Sequence, residues 1–176
     1  RAYFTTNAPT SRCGHGRRAE GAAAAECDDP RDTQRGERGI DVEILFVGDV
    51  VGEESADWLA RRIPELRGEL GLDYVVVNAE NCSVTGPSIV DGFGITVRVL
   101  DTLLMAGVDV VTGGNHSWDG PEVAEVLAHP LVARPHNVGP TEDGIDHGRG
   151  VITVGSGDRA LTVVNLLSPT AVSPAM

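Results

Sequence analysis

Apolar residues in this chain form short continuous runs that break abruptly into polar residues. The runs at 42–47, 74–77 and 108–112 are rich in β-branched side chains. Uninterrupted runs of this length are typical of strands buried on both faces of a parallel sheet. Glycine, asparagine or acidic residues follow each run, which predicts strands that bring polar side chains to one edge of a sheet.

Helical spacing appears between these runs. Apolar residues recur at the helical period over 59–70, with Ser55 as the predicted N-cap and Pro64 as a predicted kink or break. A second helix is predicted to follow Thr96 and to end at Gly107. Helical connections of this length between strands predict right-handed βαβ units and therefore a parallel sheet.

The last third of the chain predicts smaller elements. A short helix is expected over 121–128, and two strands at 151–154 and 159–167 flank the turn sequence GSGD, as in a β-hairpin. His129, His136 and His147 lie at the end of this helix or in loops rich in proline and glycine, and we interpret them as surface or loop residues.

Polar residues that follow the three strands are the candidates for chemistry. Because ligands of open parallel sheets bind at the carboxyl ends of the strands, these side chains should lie together. Their oxygen and imidazole donors suit manganese, iron or zinc. Each one alone is equally well explained by a turn cap or a structural histidine, and only their grouping favours a site. The candidates are Asp49, Glu80, Asn81, Asn115 and His116.

Charge narrows the classes of partner. The formal net charge is −12, all 14 basic residues are arginine, and the acids concentrate after residue 40. Nucleic-acid backbones are bound mainly by Lys and Arg, so stable DNA binding is not expected. A small anionic substrate would therefore need metal ions to receive it.

Residues 1–40 read as a disordered or artefactual extension, because no helical or strand period persists there. The three cysteines are odd in number and lack Cys-x-x-Cys spacing, which argues against a disulfide framework or a thiolate zinc site. This usage favours a reducing cytoplasm. No apolar run approaches the ~20 residues of a membrane span.

Four motifs in this order, GDVVG, NAEN, GFGIT and GGNHSWD, resemble the YmdB-like metallophosphoesterases. This is a bacterial 2′,3′-cyclic-nucleotide 2′-phosphodiesterase family of the calcineurin-like superfamily, and the resemblance covers about 42–167. It implies an α/β sandwich of β-sheets flanked by helices, with two divalent ions, iron or manganese. In that pattern Asp49 binds one ion with support from Asn81, Glu80 bridges, Asn115 binds the second ion, and His116 donates a proton.

The family pattern normally continues to further histidine motifs that this sequence does not contain. Residues 41–176 are therefore predicted to be the N-terminal part of a metallophosphoesterase domain that hydrolyses cyclic nucleotides to 3′-phosphates. Three alternatives stay open: an inactive fragment, a non-catalytic binding module, or a phosphomonoesterase. A homo-oligomer is a further way in which the site could be completed.

Overall fold

The computed structural model describes residues 41–84, 93–139 and 148–168, so the predicted extension at 1–40 and His147 lie outside the described residues. The parallel sheet has the strand order β1-β2-β3-β4, and an antiparallel hairpin pairs β5 with β6. The elements are β1 (Ile44–Val47), α1 (Glu53–Leu70), β2 (Tyr74–Asn78), α2 (Val97–Met105), β3 (Val110–Thr112), α3 (Val123–Ala128), β4 (Val132–Ala133), β5 (Val151–Val154) and β6 (Leu161–Val164). The predicted α/β class with a parallel sheet and flanking helices is confirmed.

The two faces of the sheet are covered differently. Val75 and Val77 point to one face and pack with residues of all three helices in the main core. Val76 points to the other face, where it packs with Val110 and with Ile152 of the hairpin. Alternation of side chains along a strand thus separates a helical layer from a hairpin layer. No helix in the described part of the chain is long and apolar enough to cross a membrane.

The prediction that the first strand is buried on both faces is wrong. Ile44 and Phe46 are 45% and 58% exposed. Their register with β2 places them on the same face as Val76, which the hairpin covers. Because β1 is at the edge of the sheet and the hairpin packs over the strands beside it, the face of β1 stays open to solvent.

Helix α1 also differs from its prediction. It begins at Glu53 after Gly52, so Ser55 lies inside the first turn and does not cap the helix, and it runs without a break through Pro64. A proline inside a helix removes one hydrogen bond and costs about 3 kcal/mol. The fully buried Ile63 and the rest of the apolar face pack on the sheet and on α2, which offsets this cost.

The other elements follow their predictions closely. The Thr96 side chain caps α2 by accepting a hydrogen bond from the backbone N–H of Val99 (3.3 Å), and the hairpin forms with narrower bounds. The sequence analysis does not predict β4. Its two buried residues, Val132 and Ala133, are too few to show a period, and their pairing with β3 is a tertiary effect.

A charged cluster holds the amino-terminal edge of the sheet. The guanidinium of Arg67 donates to the carbonyl oxygens of Gly107 (2.9 Å) and Asp73 (3.1 Å) and forms an ion pair with Asp109. Asp109 in turn accepts a hydrogen bond from the backbone N–H of Val75 (2.7 Å). These bonds join α1 to β2 and β3 at the edge opposite the predicted ligands.

Candidate metal centre

Backbone pairing continues beyond the ends of the strands and sets the candidate residues side by side. A backbone N–H in the segment after each of β1, β2 and β3 donates to a carbonyl oxygen at the end of the next strand in the sheet. The bonds run from Val50 N to Asn78 O (3.1 Å), from Ala79 N to Thr112 O (3.0 Å) and from Gly113 N to Ala133 O (3.0 Å). The carboxyl edge is therefore an ordered rim made by four successive strand ends.

Asp49 and Asn81 meet at the end of β1. The Nδ2 group of Asn81 donates to Oδ1 of Asp49 (2.6 Å). Asp49 has φ +50°, a left-handed conformation that costs free energy in any residue except glycine and that often marks functional sites. The other carboxamide atom, Asn81 Oδ1, is buried and has no hydrogen-bond donor among the described residues. A buried acceptor without a donor is destabilising, and a cation is a suitable partner for it.

Glu80 lies directly under the turn that follows β3. Its Oε2 accepts a hydrogen bond from the backbone N–H of His116 (3.3 Å), and a Cβ added at Gly114 would overlap its carboxylate. At Gly113 an added Cβ would overlap the side chain of Ser117. Neither glycine has positive φ. The two glycines therefore leave room for the packed side chains of Glu80 and Ser117.

His116 is fixed on two sides. Its Nδ1 is 2.6 Å from Oδ2 of Asp119, and its ring stacks on Phe93 with a centroid distance of 3.8 Å and an angle of 10° between the planes. A carboxylate only accepts, so Nδ1 carries the proton in this pair and Nε2 remains for other partners. Sequence reasoning missed Asp119 and Phe93, although both lie within the quoted motifs; the His-x-x-Asp spacing in a turn was the available signal.

The residues present fit part of a metal shell. No group of three or more His, Cys, Asp or Glu side chains in the described ranges is placed to hold a metal ion, so carboxylates and imidazole alone do not make the site. The predicted set depends on amide oxygens as well. Asn115 is half-buried in the turn between Gly114 and His116. Carboxylate and amide oxygens, among them the buried Oδ1 of Asn81 that has no donor in the described residues, are donors that suit manganese.

A concavity of about 410 Å³ lies near this edge, and none of the five candidate residues lines it. Its walls include Arg134, His136 and Val151, where β4 ends and β5 begins. Arg134 is buried and donates to the carbonyl oxygen of Pro135 (2.7 Å). The predicted ligands therefore lie on the open rim of the sheet and outside this cavity.

Cys82 lies beside the predicted ligands without joining them. It is fully buried, and its thiol donates to the carbonyl oxygen of Val50 (3.3 Å). Burial first, and then the negative charges of Asp49 and Glu53, raise the pKa of the Cys82 thiol to about 12. The thiol has a backbone carbonyl as its hydrogen-bond partner, and the predicted donors remain oxygen and nitrogen atoms.

Two other histidines, His129 and His136, lie within the described residues. His129 is half-buried at the end of α3, where its Nδ1 accepts from the backbone N–H of Leu131 (3.3 Å), and His136 is exposed. Both positions agree with their interpretation as surface or loop residues. Residues 85–92 lie outside the described residues, but Phe93, which follows them, reaches the ring of His116.

Known proteins share this arrangement of motifs and fold. A protein from Bacillus subtilis named 2′,3′-cyclic-nucleotide 2′-phosphodiesterase is 31% identical over 134 residues, covering 76% of this chain and 47% of its own. A structure of a hypothetical protein from Thermus thermophilus has a TM-score of 0.60 at 31% identity and covers 74% of this chain and 47% of its own. The structure of a novel phosphatase from Mycoplasma pneumoniae has a TM-score of 0.63 at 26% identity, with coverages of 76% and 45%.

The chain spans about half the length of the curated relatives it matches. The family model described as YmdB-like protein matches residues 45–176, which include all five candidate residues and, except for Ile44, every residue of the described strands. On the strength of this match, the chain belongs to the YmdB-like family.

Proposed function

We propose that this chain carries the N-terminal half of the active site of a metal-dependent phosphodiesterase that hydrolyses 2′,3′-cyclic nucleotides to 3′-phosphates. The observation that carries the proposal is the buried Oδ1 of Asn81, which has no donor among the described residues and lies beside the carboxylate of Asp49. The substrate class is taken from the name of the Bacillus relative. The net charge of −12 favours a small phosphoester over a nucleic-acid polymer.

The ligands divide into two groups joined by one residue. Asp49 and Asn81, already linked by a hydrogen bond, would hold one ion, and Asn115 would hold the second. Glu80 precedes Asn81 in the chain and accepts a hydrogen bond from the turn that carries Asn115, so its carboxylate would help to hold both ions. When bound, a pair of divalent ions such as iron or manganese supplies Lewis acidity and neutralises phosphate charge.

His116 would protonate the departing ribose oxygen. Opening a 2′,3′-cyclic phosphate to the 3′-phosphate breaks the bond from phosphorus to the 2′ oxygen, and that oxygen must gain a proton. The carboxylate of Asp119 holds the Nδ1 proton, so Nε2 delivers the other one, and Asp119 stabilises the charged ring beforehand. Stacking on Phe93 keeps the ring plane fixed.

A phosphomonoesterase of the same family is the second candidate, because the Mycoplasma structure is described as a phosphatase. Both candidates would use the same ligands, and they differ in the leaving oxygen. In a cyclic diester this oxygen stays on the ribose that keeps the phosphate, whereas in a phosphomonoester it departs with a separate alcohol. A substrate comparison separates them. Turnover of 2′,3′-cyclic AMP well above that of p-nitrophenyl phosphate supports the diesterase, and the reverse ratio supports the monoesterase.

The decisive experiment begins with metal content per chain, measured by elemental mass spectrometry after purification with manganese and iron present. Two ions per chain and turnover of cyclic nucleotide are expected. His116→Ala should lose at least ~100-fold in kcat, in the range of general acid catalysis, and keep its metal. His129→Ala, whose ring contacts only its own loop, is the matched control. Absence of bound metal from the wild-type chain would refute the proposal for this chain, and full turnover by His116→Ala would refute the role of the histidine.

A further inference from the structure

We propose that Asn165, which directly follows β6, is a positioning residue for the candidate metal centre. Its carboxamide fixes the carbonyl of Gly113 and thereby the turn that carries Asn115 and His116. The inference rests on the proposed function for the meaning of that turn. Its structural part, that a residue of the hairpin layer holds the rim of the parallel sheet, stands on contacts alone.

The Asn165 side chain uses both of its amide hydrogens on neighbouring strand ends. Nδ2 donates to the carbonyl oxygen of Gly113 (2.9 Å), which follows β3, and to that of Ala133 (2.8 Å), the last residue of β4. A primary amide has two N–H groups, so the donor capacity of this side chain is filled. One half-buried group therefore ties together two adjacent segments of the rim.

The backbone of Asn165 is itself held in place. Its carbonyl oxygen accepts from the N–H of His136 (2.8 Å), and its N–H donates to the carbonyl oxygen of Gly150 (3.1 Å). The side chain therefore starts from a fixed point, and its two bonds do not require ordering of a mobile segment. Preorganised donors of this kind are the usual means by which proteins orient the residues around a metal site.

The carbonyl oxygen of Gly113 accepts hydrogen bonds from two asparagine side chains. Besides Asn165, it accepts from Nδ2 of Asn78 at the end of β2 (3.2 Å). The next residue, Gly114, lies against the carboxylate of Glu80 and has no side chain that could absorb a shift. A small rotation at Gly113 would therefore move Asn115 relative to Glu80, the two residues proposed to share an ion.

The test compares two asparagines that make similar bonds in different places. Asn165→Asp keeps the size of the side chain and removes both donors, so an oxygen would face two carbonyls. Asn137→Asp is the matched control, because Asn137 bonds the backbone of Leu167 through both Nδ2 (2.7 Å) and Oδ1 (2.9 Å) and makes no contact with Gly113. Both variants add the same charge.

Two readouts are needed. Amide hydrogen exchange should be at least ~10-fold faster at Gly113, His116 and Ser117 in Asn165→Asp, with Val76 in the sheet as the internal reference. The Kd for Mn²⁺, measured by calorimetry, should rise ~10- to 100-fold, the range found when residues that orient metal ligands are changed. Asn137→Asp should change neither quantity. Asn165→Ala, with Asn137→Ala as its partner, repeats the comparison without added charge in case the aspartate variant fails to fold.

Each outcome decides something. Exchange at the turn that is unchanged in the Asn165 variants, or that rises equally at Val76, overturns the positioning role. An equal effect from the Asn137 variants overturns it as well. If the wild-type chain binds no Mn²⁺, the proposed function fails, and the exchange data still decide whether Asn165 holds the turn.

Discussion

Gly114→Ala is the sharpest perturbation of the candidate centre that the structure offers. Glycine has no Cβ at this position, and the carboxylate of Glu80 fills the space that a Cβ would take. The φ of Gly114 is not positive, so alanine suits the backbone and only the contact with Glu80 is in conflict. The glutamate is the flexible partner, so its carboxylate should move away from the turn and leave the proposed position between the two ions.

The expected magnitudes differ strongly for folding and for metal binding. Displacing the carboxylate breaks its hydrogen bond with the N–H of His116, which at 3.3 Å is worth about 1.5 kcal/mol as a bond to a charged group. Replacing glycine by alanine at an unstrained position returns roughly 0.5 kcal/mol by restricting the unfolded chain. The net loss in the free energy of unfolding is therefore about 1 kcal/mol, whereas loss of a bridging carboxylate should weaken Mn²⁺ binding by ~100-fold or more, beyond the effect of indirect partners.

Calorimetric titration with Mn²⁺ and urea unfolding measure the two quantities on the same protein. Gly139→Ala is the matched control, because a Cβ there meets none of the described residues within 4 Å and the φ of Gly139 is not positive. If Gly114→Ala bound Mn²⁺ as tightly as Gly139→Ala does, the carboxylate of Glu80 would have no part in the site. A loss of stability far above 1 kcal/mol would instead mean that the turn, and not the glutamate, yields.

Three further results are expected. Burial raises the pKa of the Cys82 thiol from 9.0 in the unfolded chain to about 12. The stability that the protonated thiol contributes is therefore complete below pH 9 and is lost as the pH rises towards 12. Urea unfolding of Cys82→Ala should lack this loss of unfolding free energy at alkaline pH. Asp109→Asn breaks the ion pair with Arg67 and should cost about 1–2 kcal/mol in urea unfolding, a value reduced because the pair is part-exposed, while leaving the Kd for Mn²⁺ unchanged at the opposite edge. Asn81→Leu removes the unpaired Oδ1 as well as the bond to Asp49, so the metal-free Tm should stay within a few degrees and the rise in Tm with Mn²⁺ should vanish.

The strands, helices and contacts that could be predicted from the sequence are those that depend on local patterns of residues. Apolar runs place β1, β2 and β3, and helical spacing with the Thr96 cap places α2. The rule that parallel strands end at one edge brings Asp49 and Asn81 into contact, and likewise Glu80 and His116. Local patterns therefore predict which residues meet when each lies directly after a strand.

The features that escaped prediction depend on which layer covers which strand. Periodicity shows that Phe46 is apolar, but only the position of the hairpin over β2, β3 and β4 decides that it is exposed. The short strand β4 exists through its pairing with β3, and the side-chain hydrogen bonds of Asn165 join residues more than 30 positions apart. No local pattern carries such information, although the run LTVVN ends in asparagine in the same way as VVVN does at Asn78.

Two energetically unfavourable features lie close together at the carboxyl edge of the parallel sheet, and they have the same explanation. Asp49 holds a left-handed conformation, and Asn81 buries an acceptor without a donor, with one hydrogen bond joining the two side chains. Strain of this kind costs about 1–3 kcal/mol, and an unpaired buried acceptor costs a similar amount. A chain with marginal stability keeps both only where neighbouring bonds enforce them or a ligand offsets them. The backbone bonds that Asn78 and Asn81 make to the segment after β1 supply the enforcement. The buried Oδ1 of Asn81, which has no donor among the described residues, and the carboxylate of Asp49 beside it are the reason for proposing a cation there.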